Sequence, residues 1–144
     1  ARIEAVAPEP SAGFPRKVLV VDDVDVNRDV ALAQLQALGV ESAAADSGAQ
    51  ALTMIAEGDF DLILLDCQMP EMDGYATATA IRRLPIVKQP RIAAMTANAQ
   101  PGERDRCLAA GMDDYLSKPV RLAHLQQLFQ RLSAAADAAG IIRA

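Results

Sequence analysis

The sequence predicts an α/β protein: a doubly wound (βα)5 domain with a five-stranded parallel sheet in the order 2-1-3-4-5. Three observations carry this. Short apolar runs alternate with stretches of helical spacing five times along the chain. The central runs are apolar at every position, as strands covered on both faces must be. The chain has 144 residues, 51% of them hydrophobic and only 3% aromatic, which suits one compact domain with an aliphatic core. Such alternation builds βαβ units, and right-handed crossovers leave few topologies.

Residues 1–15 hold Pro8, Pro10 and Pro15 with Ser11 and Gly13, and read as a linker. Lys17-Val18-Leu19-Val20-Val21 is the first strand and ends at Asp22-Asp23. Residues 25–38 follow as a helix whose face is Val30, Ala31, Leu35 and Leu38, stopped by Gly39. Residues 40–45 form a weaker strand. Ser47 caps a helix with the stripe Ala51, Leu52 and Ile55. Asp61-Leu62-Ile63-Leu64-Leu65-Asp66 is the strongest strand, and Asp73 caps a helix facing inward through Ala78, Ile81 and Leu84. Residues 91–95 make a strand ending at Thr96. Pro101 opens a helix that Gly111 closes. Residues 113–117 are the fifth strand, ending at Lys118-Pro119. The last helix spans 120–132, with Leu122, Leu125, Phe129 and Leu132 inward. From Ala134 the periodicity fades, so the domain is read as 16–132 and residues 133–144 as a tail or linker.

Composition excludes several classes. Fourteen Lys+Arg against nineteen Asp+Glu give a net charge of −5, whereas a nucleic-acid surface needs a basic balance. No apolar run approaches the roughly 18 residues of a membrane span, and no signal peptide is visible. Cys67 and Cys107 match neither a metal-site spacing nor a secreted disulfide framework, so both read as structural thiols of a reduced, cytoplasmic protein. The chain begins with Ala1 rather than Met, as expected of a module excised from a longer chain.

In doubly wound sheets the ligand site lies beyond the carboxyl ends of the strands. Asp22, Asp23, Asp66, Thr96 and Lys118 all fall there. Two carboxylates about 4 Å apart repel by roughly 4 kcal/mol at an effective dielectric near 20. Three therefore call for counter-charge. Lys118 supplies one unit, and a hard divalent cation ligated by oxygens, Mg²⁺, supplies the rest. One carboxylate can then act as nucleophile toward phosphorus, with the cation and Lys118 neutralising the transferring group and Thr96 bonding a phosphoryl oxygen.

With Asp22-Asp23, Leu64-Leu65-Asp66 followed by Met69-Pro70 and Met72-Asp73-Gly74, Met95-Thr96-Ala97 and Lys118-Pro119, the sequence resembles a receiver domain of two-component phosphorelays over about residues 16–132. The resemblance implies a flavodoxin-like fold and a phosphoryl group taken from a phosphohistidine onto Asp66. It implies Mg²⁺ on Asp23, Asp66 and the backbone carbonyl of Gln68, with Asp22 acting through water. It also implies phosphoryl contacts from Thr96 and Lys118, Tyr115 as an aromatic switch, and a cis Lys118-Pro119 bond. Such a domain catalyses only its own phosphorylation and dephosphorylation. Its partners are a histidine kinase domain or a histidine phosphotransfer domain, with no nucleic acid and no direct membrane contact, and it is a monomer when isolated. Asp66-Cys67-Gln68-Met69-Pro70, Asn27-Arg28, Thr96-Ala97-Asn98-Ala99 and residues 111–116 are similar to receivers built into hybrid sensor histidine kinases, whose parent chain can be anchored in the inner membrane.

Plainer readings stand beside these. Acids after a strand are commonly turn formers or helix caps, and Asp73 is read as a cap. Asp23-x-Asp25-x-Asn27 imitates a calcium loop but has Arg28 where Gly is needed and Gln34 where Glu is needed. Arg82-Arg83 reads as a solvated face, His124 as a surface or packing residue, and Tyr115 can be packing alone. The first helix carries Val26, Leu32 and Ala33 beyond its core stripe, which fits either a docking patch or an alanine-rich helix that looks apolar all round. An aspartyl-phosphate phosphatase is the main rival, but it needs a second acid where Gln68 stands. A pseudo-receiver interaction module is the other.

Overall fold

The computed structural model describes residues 15–69, 71–97 and 101–143, with side chains as far as Ser133. Residues 1–14 of the expected linker, and Pro70, Asn98 and Ala99 of the motifs, lie outside the described residues. The elements are β1 (Lys17–Val21), α1 (Asp25–Ala37), β2 (Glu41–Ala45), α2 (Gly48–Glu57), β3 (Leu62–Asp66), α3 (Gly74–Arg82), β4 (Arg91–Thr96), α4 (Glu103–Ala109), β5 (Asp114–Ser117) and α5 (Leu122–Arg143). All described strand pairs are parallel and the sheet order is β2-β1-β3-β4-β5.

Each face of the sheet buries its own cluster. Val18, Val20, Leu62, Leu64, Ala93 and Met95 point to α1 and α5, where Ala31, Leu35, Leu125, Leu128 and Leu132 meet them. Leu19, Val21, Ile63, Leu65, Ile92 and Ala94 point to the other face, against Ala51, Ile55, Ala78, Ile81 and Cys107. This alternation of direction explains why β3 is apolar throughout: both of its faces are covered. The register aligns the carboxyl ends. Val21 pairs with Leu65, Asp66 with Met95, and Thr96 with Ser117, so Asp22, Asp66, Thr96 and Lys118 share one edge.

Several sequence expectations are corrected. Val30 is 44% exposed because Ala31 and Leu35 set the buried line of α1, which turns Val30 outward. Leu122 is 40% exposed for the same reason: Leu125, Leu128 and Leu132, at i, i+3 and i+7, make the buried line of α5. Pro101 does not open α4. Gly102 sits between them at φ 91°, a left-handed conformation that interrupts the helix, and α4 starts at Glu103. Helix α5 runs past Leu132 to Arg143, through a segment whose recurrent alanines favour helix. Arg82 is not a solvated residue. Its guanidinium donates to Gly111 O (2.8 Å), Pro90 O (2.7 Å), Gln89 Oε1 (3.0 Å) and Asp113 Oδ2 (2.9 Å).

Asp61 was expected as a strand residue; it lies just before β3 and clamps the amino edge of the sheet instead. Its Oδ2 accepts from the amides of Arg16 (2.7 Å) and Lys17 (3.3 Å), and its Oδ1 faces Lys88 Nζ at 2.6 Å. Burial alone would raise its pKa, but the Lys88 bond, the two amides and the Lys88 charge outweigh it and hold it below the usual value. A carboxyl with a depressed folded pKa adds stability that is complete above its unfolded value, about 4, and lost as pH falls through the folded value. Asp61→Ala should therefore cost about 1–3 kcal/mol at pH 7. Urea unfolding across a pH series should show that deficit shrinking below about pH 4; a deficit independent of pH would remove the charge from the explanation.

Candidate functional site

The site is built from strand ends. Asp66 is the last residue of β3 and 2% exposed; Asp22 follows β1 and is 1% exposed; Asp23 stands out in solvent beside them. One ligating oxygen from each of these carboxylates lies within 4.8 Å of the others. At an effective dielectric near 20, each such pair repels by roughly 3 kcal/mol or more. Lys118, half-buried after β5, answers part of this: its Nζ lies 3.0 Å from Asp66 Oδ1 and 3.3 Å from Asp22 Oδ2.

Backbone groups fix the acids. The Gln68 amide donates to Asp66 Oδ1 (3.1 Å) and the Val24 amide to Asp22 Oδ1 (2.9 Å). Arg28 reaches back from α1 to donate to the Asp22 carbonyl (2.6 Å). Gly74 opens α3 directly under Asp66. A Cβ there would collide with the Asp66 carbonyl oxygen and lie 2.8 Å from Cys67 Cα, so only glycine lets α3 approach the strand end. Asp73 caps α3 through the Ala76 amide (2.8 Å) and takes no part in the acid cluster.

Burial pushes the Asp66 pKa up, and the Asp22 charge adds to this, against the pull of the Gln68 amide and Lys118. Burial works against the charge on Lys118, but Asp66 and Asp22 overcome it and raise its pKa. With all groups ionised, three negative charges and one positive leave −2. Asp22 Oδ2 is buried, and among the described residues the positive charge that meets it is Lys118 Nζ at 3.3 Å. An all-oxygen donor set, a net charge of −2 and a buried carboxylate oxygen answered by one shared ammonium suit a hard divalent cation such as Mg²⁺.

Thr96 ends β4 and is 6% exposed; the Lys118 amide donates to its carbonyl (2.8 Å). The Lys118–Pro119 peptide is cis. Gln68 is exposed beside Asp66. Tyr115 is half-buried on β5 and packs on the cluster beneath α2, α3 and α4, one strand over from Ala94 rather than beside Asp66. His124 is half-buried on α5, away from the acids.

Two features were not read from the sequence. Arg28 anchors the Asp22 backbone, and its only signal was its place within Asn27-Arg28. The two cysteines, 40 positions apart, meet in space: Cys67, Cys107 and Glu103 bring ligating atoms within 4.8 Å. Burial pushes both thiols up, Cys107 to about 12, and the Glu103 charge adds to both; Cys67 raises Cys107 further, whereas hydrogen bonds with Tyr75 and Cys107 pull Cys67 back.

The response regulator receiver domain model matches residues 18–130. Hybrid signal transduction protein dokA of Dictyostelium discoideum is 46% identical over 115 residues, 78% of this chain and 7% of that protein. The chain spans 7–12% of the length of the curated relatives it matches. Among solved structures, the receiver domain of sensor histidine kinase PA1611 from Pseudomonas aeruginosa is 39% identical with a TM-score of 0.74, covering 83% of this chain and 98% of that one. It holds a magnesium ion in its active-site cleft. A chain of the complex between the Saccharomyces cerevisiae phosphotransfer protein Ypd1 and the receiver domain of Ssk1 is 28% identical with a TM-score of 0.72, covering 78% and 85%.

If the acid cluster stores repulsion, Mg²⁺ should stabilise the fold. At 100 times its dissociation constant the gain is about 2.7 kcal/mol. Thermal melts should show the rise in the wild type and lose most of it in Asp23→Ala; an equal rise in both would exclude Asp23 as a ligand. Gly74→Ala should cost about 1–3 kcal/mol through overpacking against the Asp66 backbone, measured by urea unfolding, with its Mg²⁺ response weakened as well.

Proposed function

The chain belongs to the response regulator receiver domain family, and we propose that Asp66 is its phosphoryl acceptor. The observation that carries this is one buried carboxylate at the end of the central strand, held 3.0 Å from an ammonium and crowded by two further acids. An Asp66 carboxylate oxygen attacks the phosphorus of a phosphohistidine. A P–O bond forms, the P–N bond breaks, and the imidazole leaves with the electron pair. Lys118 favours the ionised form of Asp66 against burial and faces the phosphoryl oxygens, and the Thr96 hydroxyl bonds one of them. Asp23, Asp66 and the Gln68 carbonyl would hold Mg²⁺ directly, with Asp22 acting through water, and the ion would supply positive charge to the transferring group.

The donor is a histidine kinase domain, and the acceptor of an onward relay is a histidine phosphotransfer domain. Val24, Val26 and Val30 support an approach along α1: they are 44%, 63% and 44% exposed. A cavity of about 260 Å³ lined by Asp22, Asn27, Val30, Lys118 and Val120 opens beside them. No described helix is long and apolar enough to cross a membrane. We place the module in the cytoplasm, as part of a hybrid kinase like the relatives above.

Phosphorylation shifts an equilibrium through Thr96 and Tyr115. A bond from the phosphoryl group to Thr96 gives the two states different affinities, which a population shift requires. Tyr115, on the neighbouring strand, then repacks against the α4 side.

Two experiments test this reading. Mass spectrometry after acetyl phosphate and Mg²⁺ should show a single adduct on the wild type and none on a folded Asp66→Asn; a wild-type adduct on that variant would move the acceptor to another acid. Thr96→Ala should still take the label. Its amide shifts around Tyr115 with beryllofluoride and Mg²⁺ should be much smaller than those of the wild type. A full wild-type shift pattern would refute the Thr96–Tyr115 coupling.

A further inference from the structure

Behind the acid cluster lies a second group of ligating side chains. Glu103 and Cys107 occupy positions i and i+4 of α4 and so share one face of that helix. Cys67 follows Asp66 and meets them from the sheet side. Both thiols are buried, at 4% and 1% exposure, and neither cysteine is in a disulfide. The Cys107 thiol donates to Glu103 Oε2 at 3.8 Å, and the Tyr75 hydroxyl donates to the same oxygen. Two thiols and a carboxylate with donor atoms within 4.8 Å of one another are nearly gathered for a tetrahedral ion, whose bonds are about 2.3 Å to sulfur and 2.0–2.2 Å to oxygen.

We propose that Cys67, Cys107 and Glu103 form a second cation site, selective for a thiophilic divalent ion of the Zn²⁺ type. Soft thiolates separate it from the neighbouring all-oxygen site, which suits hard ions. Binding exchanges two thiol protons for the ion; both protons go to solvent. The fourth position falls to Tyr75 oxygen or to water. Glu103 and Tyr75 are half-buried, so the ion has a path in from solvent. An ion here ties α4 to the residue that follows Asp66, and so fixes the helix next to the acceptor.

Co²⁺ titrated into the reduced protein, with excess Mg²⁺ filling the oxygen site, tests the proposal. The wild type should develop a thiolate-to-cobalt charge-transfer band with the strong visible absorption of tetrahedral cobalt, saturating at one equivalent and lost on adding Zn²⁺. Cys107→Ser should lose the band. Glu103→Gln, at a half-exposed position that the fold tolerates, should bind roughly 10–100-fold more weakly, as losses around metal ligands do. A folded wild type without the charge-transfer band would overturn the proposal. So would an unchanged affinity in Glu103→Gln.

Discussion

The contact of Lys118 with two buried carboxylates is the constraint around which this molecule is arranged. Asp22 and Asp66 stand at the ends of β1 and β3, whose interior residues are apolar and buried, and each is almost wholly removed from water. Such groups cannot be left to repel each other in a dry interior. One ammonium set between them answers one unit of charge and leaves a deficit that only further positive charge can close. That unclosed balance is what makes the carboxyl edge of the sheet responsive, while the strands beneath it stay aliphatic and fixed.

The backbone serves the same end. The amides of Val24 and Gln68 each hold one oxygen of the two acids, and the Asp66 oxygen so held, Oδ1, is also the one that Lys118 faces. Arg28 holds the chain after β1 by its carbonyl, and Gly74 lets α3 start against the chain after β3. The acids are thus positioned in large part by the backbone around them.

Most of this was legible in the sequence, because the fold writes its strands as apolar runs and places their polar terminal residues together. The strand order came from the alternation together with right-handed crossovers and the choice of a doubly wound sheet, and the gathering of Asp22, Asp23, Asp66 and Lys118 followed from that order. What was not legible depended on rotation and reach. One residue of helical phase separates Val30 from Ala31, and the choice of Leu128 over Leu122 is of the same kind. Arg82 looked like surface because charge marks exposure only on average; its fork finds carbonyls and a carboxylate supplied by Pro90 before β4 and by Gly111 and Asp113 after α4, which no local pattern predicts. Cys67 and Cys107 meet only because the fold brings α4 to the residue that follows β3, a contact between positions far apart in the chain. Pro101 misled because the glycine after it, not the proline, decides where α4 begins.

The Arg82 fork has a further consequence, for substitutions that conserve charge. A lysine at that position would keep the positive charge and the long aliphatic stem, and by any tally of residue class would count as equivalent. A single ammonium cannot reach the Gly111 carbonyl on one side and the Pro90 carbonyl and Asp113 carboxylate on the other. It would leave the turn after α4 and the entry to β4 without their common tie. At this end of the sheet, shape rather than charge is the property that evolution or an engineer has to keep.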